Sequence, residues 1–150
     1  MKRFFEVIRQ ASIIEKIATA SLLLSIVFHY GIQLTEGVDI AVFGMFLAIL
    51  YFPLGFIFLK NPLNNGNYLL PISLGAFFSI NMAVFLTGAL NVVDYIYSFL
   101  FGLFFLIVAT MVIIYNLKRA GFKEYFYLQL IRVAFLAIIN TVQLVRIYCT

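Results

Sequence analysis

Asn81, Ser25 and Tyr51 are polar side chains set deep within long apolar runs. An amide, a hydroxyl and a phenol surrounded by Leu, Ile and Phe must find hydrogen-bond partners, or each costs several kcal/mol. Counted along their own runs, the three fall at similar depth, so they are read as one polar cluster. Such a cluster is either an interhelical clasp, worth about 0.6–2 kcal/mol per bond, or the lining of a path for a small ligand or ion. His29, the single histidine, lies about one turn inside its run beside Tyr30 and is a candidate pH-sensitive group. A boundary histidine bonded to water or backbone is the plainer reading. One histidine cannot supply two axial imidazoles to a haem. With Cys149 the single cysteine, no disulfide within the chain and no Cys/His metal set can form. There is no Ser/His/Asp set, no HExxH and no phosphate loop. The expectation is a non-enzymatic protein with no cofactor and no metal.

The elements that carry these residues follow from composition. The chain has 150 residues, of which 65% are hydrophobic and only 11% charged. A water-soluble domain of that size needs more polar surface, whereas a bilayer accepts an apolar exterior. Residues 17–34, 40–59, 68–90 and 96–117 form four near-continuous apolar stretches. Each has roughly 18 to 23 residues, the length a hydrocarbon core of ~30 Å requires of a helix. The connectors expected on one side carry Glu36, Asp39 and Asp94 and no basic residue. The other side receives Lys2, Arg3, Arg9, Lys16, Lys60, Lys118, Arg119 and Lys123. That partition is the positive-inside pattern. The sequence therefore predicts an all-α integral membrane protein with four transmembrane helices in an antiparallel bundle. It predicts a multi-pass protein of a bacterial inner membrane, with the N-terminus cytoplasmic. Tyr30 and Tyr95 fall at the outer boundary, and Tyr68, Tyr115, Tyr125 and Tyr127 at the inner one, as an aromatic belt does.

Two amphipathic segments flank the spans. Residues 1–16 place Phe4, Val7, Ile8, Ala11 and Ile14 on one helical face and Lys2, Glu6, Arg9 and Lys16 on the other. Residues 118–150 form a basic loop and an amphipathic tail. Its apolar run, Val133 to Val145, is bounded by Arg132 and Arg146. Thirteen helical residues reach only about 20 Å. Gln129, Arg132, Asn140, Gln143 and Arg146 share a third of the helical wheel. The tail is expected as an in-plane or re-entrant helix. A fifth span is the other geometry open to it; in that case its polar stripe must face the bundle or a partner. Lys118, Arg119, Lys123, Arg132 and Arg146 are candidate contacts for anionic lipid headgroups, or the walls of a basic vestibule. The basic residues sit at helix ends rather than on one patch, so no nucleic-acid partner is expected.

Small residues let helix backbones approach in lipid. Gly75, Ser79, Ala83 and Thr87 recur at i, i+4 steps in the third span; Ser21 and Ser25 share a stripe in the first, and Gly102 lies in the fourth. These stripes predict helix packing, within the chain or in a homo-oligomer. No acidic or basic residue falls in the core of the four predicted spans, which argues against ion pumping. The resulting expectation is a subunit or accessory protein that packs on itself or another membrane protein through these stripes. The alternatives are a small oligomeric channel or transporter with a polar path near Ser25, Tyr51 and Asn81, or a lipid-binding or immunity-type protein.

Overall fold

The computed structural model describes residues 11–31, 37–52, 69–119 and 123–149. Helix α1, Ile13–Ile26, runs into a π-helical turn, Val27–Gly31. Helices α2 (Val38–Tyr51), α3 (Leu69–Ala89), α4 (Tyr95–Arg119) and α5 (Lys123–Cys149) follow, with no strand among the described residues. The all-α membrane bundle expected from the sequence is present. Four helices are long and apolar enough to cross a membrane: Ile13–Tyr30, Leu69–Ala89, Ile96–Leu117 and Tyr125–Val142.

Their membership differs from the expectation. The first helix starts four residues before Ile17, because Ser12-Ile13-Ile14-Glu15 is a helix-start signature. The Ser12 hydroxyl accepts the Glu15 N–H at 3.1 Å. Of the expected span 40–59, the described part is α2, which ends at Tyr51. Phe52 precedes Pro53 and takes an extended backbone, φ −52°, ψ 143°, as the proline ring demands of the residue before it. Residues 53–59 of that expected span lie outside the described residues. Helices α3 and α4 match the expectation to within two residues. The tail is a single helix of 27 residues, about 40 Å long, and its Tyr125–Val142 stretch is long and apolar enough to be the fourth crossing candidate.

The ends are chemically marked. Asn91 adopts φ 58° after α3, and the Val92 N–H returns to the Thr87 carbonyl at 2.9 Å, a left-handed C-terminal cap. The Asp94 carboxylate then accepts the Ile96 N–H at 3.2 Å and starts α4. Helix α1 packs on α2, α2 on α3, and α3 on both α4 and α5; α4 and α5 form a hairpin. Helix α3 is thus the central element. Leu74, Phe78, Met82 and Phe85 on α3 are fully buried, with Leu22, Leu47, Ile113 and Leu136 from the helices around it. The outward faces are apolar as well: Leu100, Phe101, Phe104, Ile107 and Met111 of α4 are exposed, as lipid permits.

The hairpin gives a topology test. Helices α4 and α5 are antiparallel, so a full crossing by α5 carries Cys149 to the face that holds the α3–α4 turn. In sealed vesicles, a membrane-impermeant maleimide should label Cys149 and a cysteine placed at Val92 from the same side. Labelling from opposite sides would return the tail to the headgroup plane.

Candidate functional site

The polar stripe of α5 faces the bundle. Tyr125, Gln129, Arg132 and Asn140 succeed one another on its inner side, and all four are buried. The apolar residues Ile138 and Tyr127 look outward. The conditional expectation for a spanning tail, that its polar residues turn inward, matches this arrangement.

Arg132 meets Glu15 of α1, a residue 117 positions away in sequence. Its Nε donates to Glu15 Oε1 at 2.6 Å and its Nη2 to Oε2 at 2.7 Å. This is the two-pronged guanidinium–carboxylate geometry, the strongest that such a pair forms. Nη1 donates to Gln129 Oε1 at 2.9 Å. The Tyr51 hydroxyl, from the last residue of α2, donates to Glu15 Oε1 at 3.1 Å. Glu15 is 4% exposed and Arg132 5%, so the charges are removed from solvent together. Either charge alone would cost several kcal/mol at that depth, and their mutual attraction and added hydrogen bonds offset the cost. Two neighbours remain unsatisfied. Tyr125 Oη and Gln129 Nε2 are buried and make no hydrogen bond among the described residues. The Tyr51 ring meets Phe78 edge-on at 5.9 Å, and Tyr125 meets Phe126 at 5.3 Å, so the polar groups sit in an aromatic setting.

A second polar layer lies two turns further along α5. Asn81 Nδ2 donates to the Gly102 carbonyl at 2.7 Å, and Asn140 Nδ2 donates to Asn81 Oδ1 at 3.0 Å and Leu136 O at 2.8 Å. Gly102 and Asn140 are equally distant in sequence from Gly121, as an antiparallel hairpin requires. A Cβ on Gly102 would collide with Asn140 Oδ1. That oxygen has no conventional donor. It sits over the Gly102 Cα–H, a weak contact common between closely packed helices.

The residues expected to form one cluster are divided. Tyr51 joins the ion pair, Asn81 joins Asn140, and the Ser25 hydroxyl returns to Ser21 O in its own helix at 3.0 Å. The small-residue stripe is also divided. Gly75 is buried, and Ser79 clasps α2 by donating to Ala48 O at 2.8 Å. Ala83 is exposed, and Thr87 bonds Val84 O of its own turn. Gly44, not singled out beforehand, also seats a helix, as does Ser98, which the sequence places beside Gly102 among the small residues of the fourth span. A Cβ on Gly44 would stand 2.5 Å from Leu86 Cδ2, and the Ser98 hydroxyl reaches Val84 O at 2.5 Å. His29 stands over Gly37, edge-on to Tyr30 at 4.7 Å. Arg132 lies inside the bundle and not at the headgroups; the side chains of Lys118, Arg119, Lys123 and Arg146 lie outside the described residues. Sequence reading missed Glu15, because it assigned residues 1–16 to a surface segment. The helix-start motif and the polar stripe of α5 were the available signals. No group of three metal-ligating side chains occurs among the described residues. No family model, curated protein or solved structure matches the chain.

Two stability outcomes follow. Glu15→Gln or Arg132→Gln alone should lower stability in detergent by about 3–5 kcal/mol, because each leaves a buried charge unpaired. The Glu15→Leu, Arg132→Met double variant should recover most of that loss in a double-mutant cycle. Gly102→Ala should also destabilise: overpacking against Asn140 costs about 1–3 kcal/mol, more than the helix-propensity gain of about 1 kcal/mol. Ala83→Leu on the exposed face should change the melting temperature little.

Proposed function

We propose that this chain is a non-enzymatic plasma-membrane protein of the small channel or transporter class, whose working part is the Glu15–Arg132 centre. The observation that supports it is a buried ion pair beside two polar groups, Tyr125 Oη and Gln129 Nε2, that have no partner among the described residues, inside helices able to span a bilayer. Ionisable groups inside spans are expensive and mark solute or ion paths more often than they serve as glue. A pure clasp needs no spare hydrogen-bonding capacity at its side.

The lack of charge within the expected spans argued against ion pumping. It loses its force once Glu15 and Arg132 stand inside the first and last of the apolar helices. The reading as an accessory subunit loses support in the same step. Gly44, Gly75, Ser79, Ser98 and Gly102 are occupied by contacts within the chain, so they leave no continuous small-residue seam for a second protein. In this reading the N-terminus is cytoplasmic, and basic residues near the ends of α4 and α5 engage anionic headgroups of the inner leaflet.

The test is passage. Purified protein in liposomes should pass a subset of small ions and organic solutes. Glu15→Asp, which keeps the charge but shortens the reach, should cut the rate at least about tenfold, with the helical content unchanged. Liposomes that pass nothing, together with a stoichiometric membrane partner recovered from native membranes, would favour the accessory reading instead.

A further inference from the structure

The ion pair has a shape as well as a charge. Arg132 holds a planar carboxylate by both oxygens, at 2.6 and 2.7 Å, and the Tyr51 hydroxyl supplies a third donor at 3.1 Å. That is the complete recognition set for a carboxylate ligand. At present it is filled by a side chain of the protein itself. Beside it, the buried Gln129 amide already uses its oxygen to accept from Arg132, which leaves its Nε2 hydrogens without an acceptor. One turn earlier the Tyr125 hydroxyl likewise has no partner among the described residues, although the residue is only 4% exposed. Satisfied buried polar groups are the rule, and each exception in a native fold calls for an explanation. Here the exceptions share one helix face with Arg132, at i, i+4 and i+7.

We infer that the centre is a carboxylate-binding site in which Glu15 is the resident occupant and a small aliphatic monocarboxylate is the exchangeable one. The inference rests on the reading of this centre as a solute site, and it names the solute. The monocarboxylate enters as its acid and passes its proton to Glu15, so that one anion still faces Arg132; its carboxylate takes over the Arg132 fork, and Gln129 Nε2 and Tyr125 Oη donate to its outer lone pairs. The aromatic surroundings, with Phe78 against Tyr51 and Phe126 against Tyr125, suit an apolar tail rather than a second charge. The position suits entry from one end of the bundle. Glu15 is in the first turn of α1, Tyr51 closes α2, and Tyr125 is in the first turn of α5.

The experiment is equilibrium binding of radiolabelled propionate to the full chain in detergent micelles, with circular dichroism confirming helix content for each variant. Wild type should bind saturably, and unlabelled butyrate should compete while propylammonium and chloride at equal ionic strength should not. Tyr125→Phe leaves every Arg132 bond intact, whereas Gln129→Leu also removes the acceptor of Arg132 Nη1; each should weaken binding roughly five- to tenfold. Glu15→Gln should tighten it, because the amide competes poorly for the guanidinium. If that variant does not fold, the other two still decide the matter.

Folded wild-type protein that binds no propionate would overturn the inference. So would inorganic phosphate displacing propionate as well as butyrate does, which would mean that any oxyanion is accepted. A third overturning result is Tyr125→Phe raising the melting temperature with no change in binding, the behaviour of a donor that is merely unsatisfied. Passage of other solutes through liposomes without propionate binding sinks this inference and leaves the transport reading standing. Propionate binding without passage of any solute does the reverse.

Discussion

A charged side chain has no cheap place in hydrocarbon, and that cost organises this bundle. Glu15 and Arg132 cannot each face lipid, so they must meet. In meeting they join α1 to α5, two helices that do not otherwise pack along their lengths. The remaining contacts run from neighbour to neighbour through α3. The ion pair is the long-range tie that closes this series. Its bidentate geometry is strict: sliding α5 by one helical turn moves Arg132 about 5.4 Å and breaks both bonds. As a neutral pair it adds little net stability, since desolvation consumes most of the attraction. Its larger effect is to set register, because misregistered packings leave a buried charge without a partner.

The same cost acts more mildly at the second polar layer. Amides are cheaper to bury than ions, so Asn81 and Asn140 can be satisfied by one another and by two backbone carbonyls. That exchange is possible only because Gly102 lets α5 come close to α4. Two polar layers, eight residues apart on α5, therefore fix both height and rotation of the helix against the central α3 and the α4 hairpin. The apolar contacts between them, Leu136 and Ile139 against the core, are permissive by comparison. Lipid competes equally well for aliphatic side chains, so apolar burial alone supplies little orientation.

Length and hydropathy made the class of fold legible, and for α3 and α4 they also made the boundaries legible. Both helices are uniformly apolar and closed by turn chemistry, at Asn91 and Asp94, that reads directly from residue type. The two ends of the chain were less legible for one reason. A helix with a polar stripe satisfies two environments equally well, a headgroup plane or a bundle interior. The wheel positions of Gln129, Arg132 and Asn140 are the same in both. What separates them is the partner, and the partners are Glu15 and Asn81, each far away in sequence. The Gly75 stripe illustrates a related limit. Four small residues in register did not make one seam: Ser79 faces α2, whereas Ala83 is exposed, since the i, i+4 row winds slowly around the helix. Gly44 and Gly102 mark close contacts with the facing helices, and neither belongs to that stripe.

The two polar layers differ in a way that bears on what the protein does. The amide layer is nearly complete, its one spare oxygen resting on a glycine Cα–H. Evolution of a clasp stops there, because further polarity only adds desolvation cost. The ionic layer goes beyond what a clasp requires. It adds a phenol and an amide whose donors are buried and unused, at a cost per group comparable to a lost hydrogen bond. Replacing Tyr125 by Phe would remove its share of that cost without disturbing the Glu15–Arg132 pair, whereas Gln129 also holds Arg132 Nη1 through its oxygen. Local violations of this kind concentrate at functional sites, where spare capacity is used intermittently. The centre is also neutral as it stands, with the Glu15 carboxylate on the Arg132 fork. An anion arriving there cannot simply add to a pair whose charges already cancel; it competes with Glu15 for one guanidinium. The resident carboxylate thereby keeps the site dry and closed when empty of ligand, and defines by its own shape the solute able to replace it.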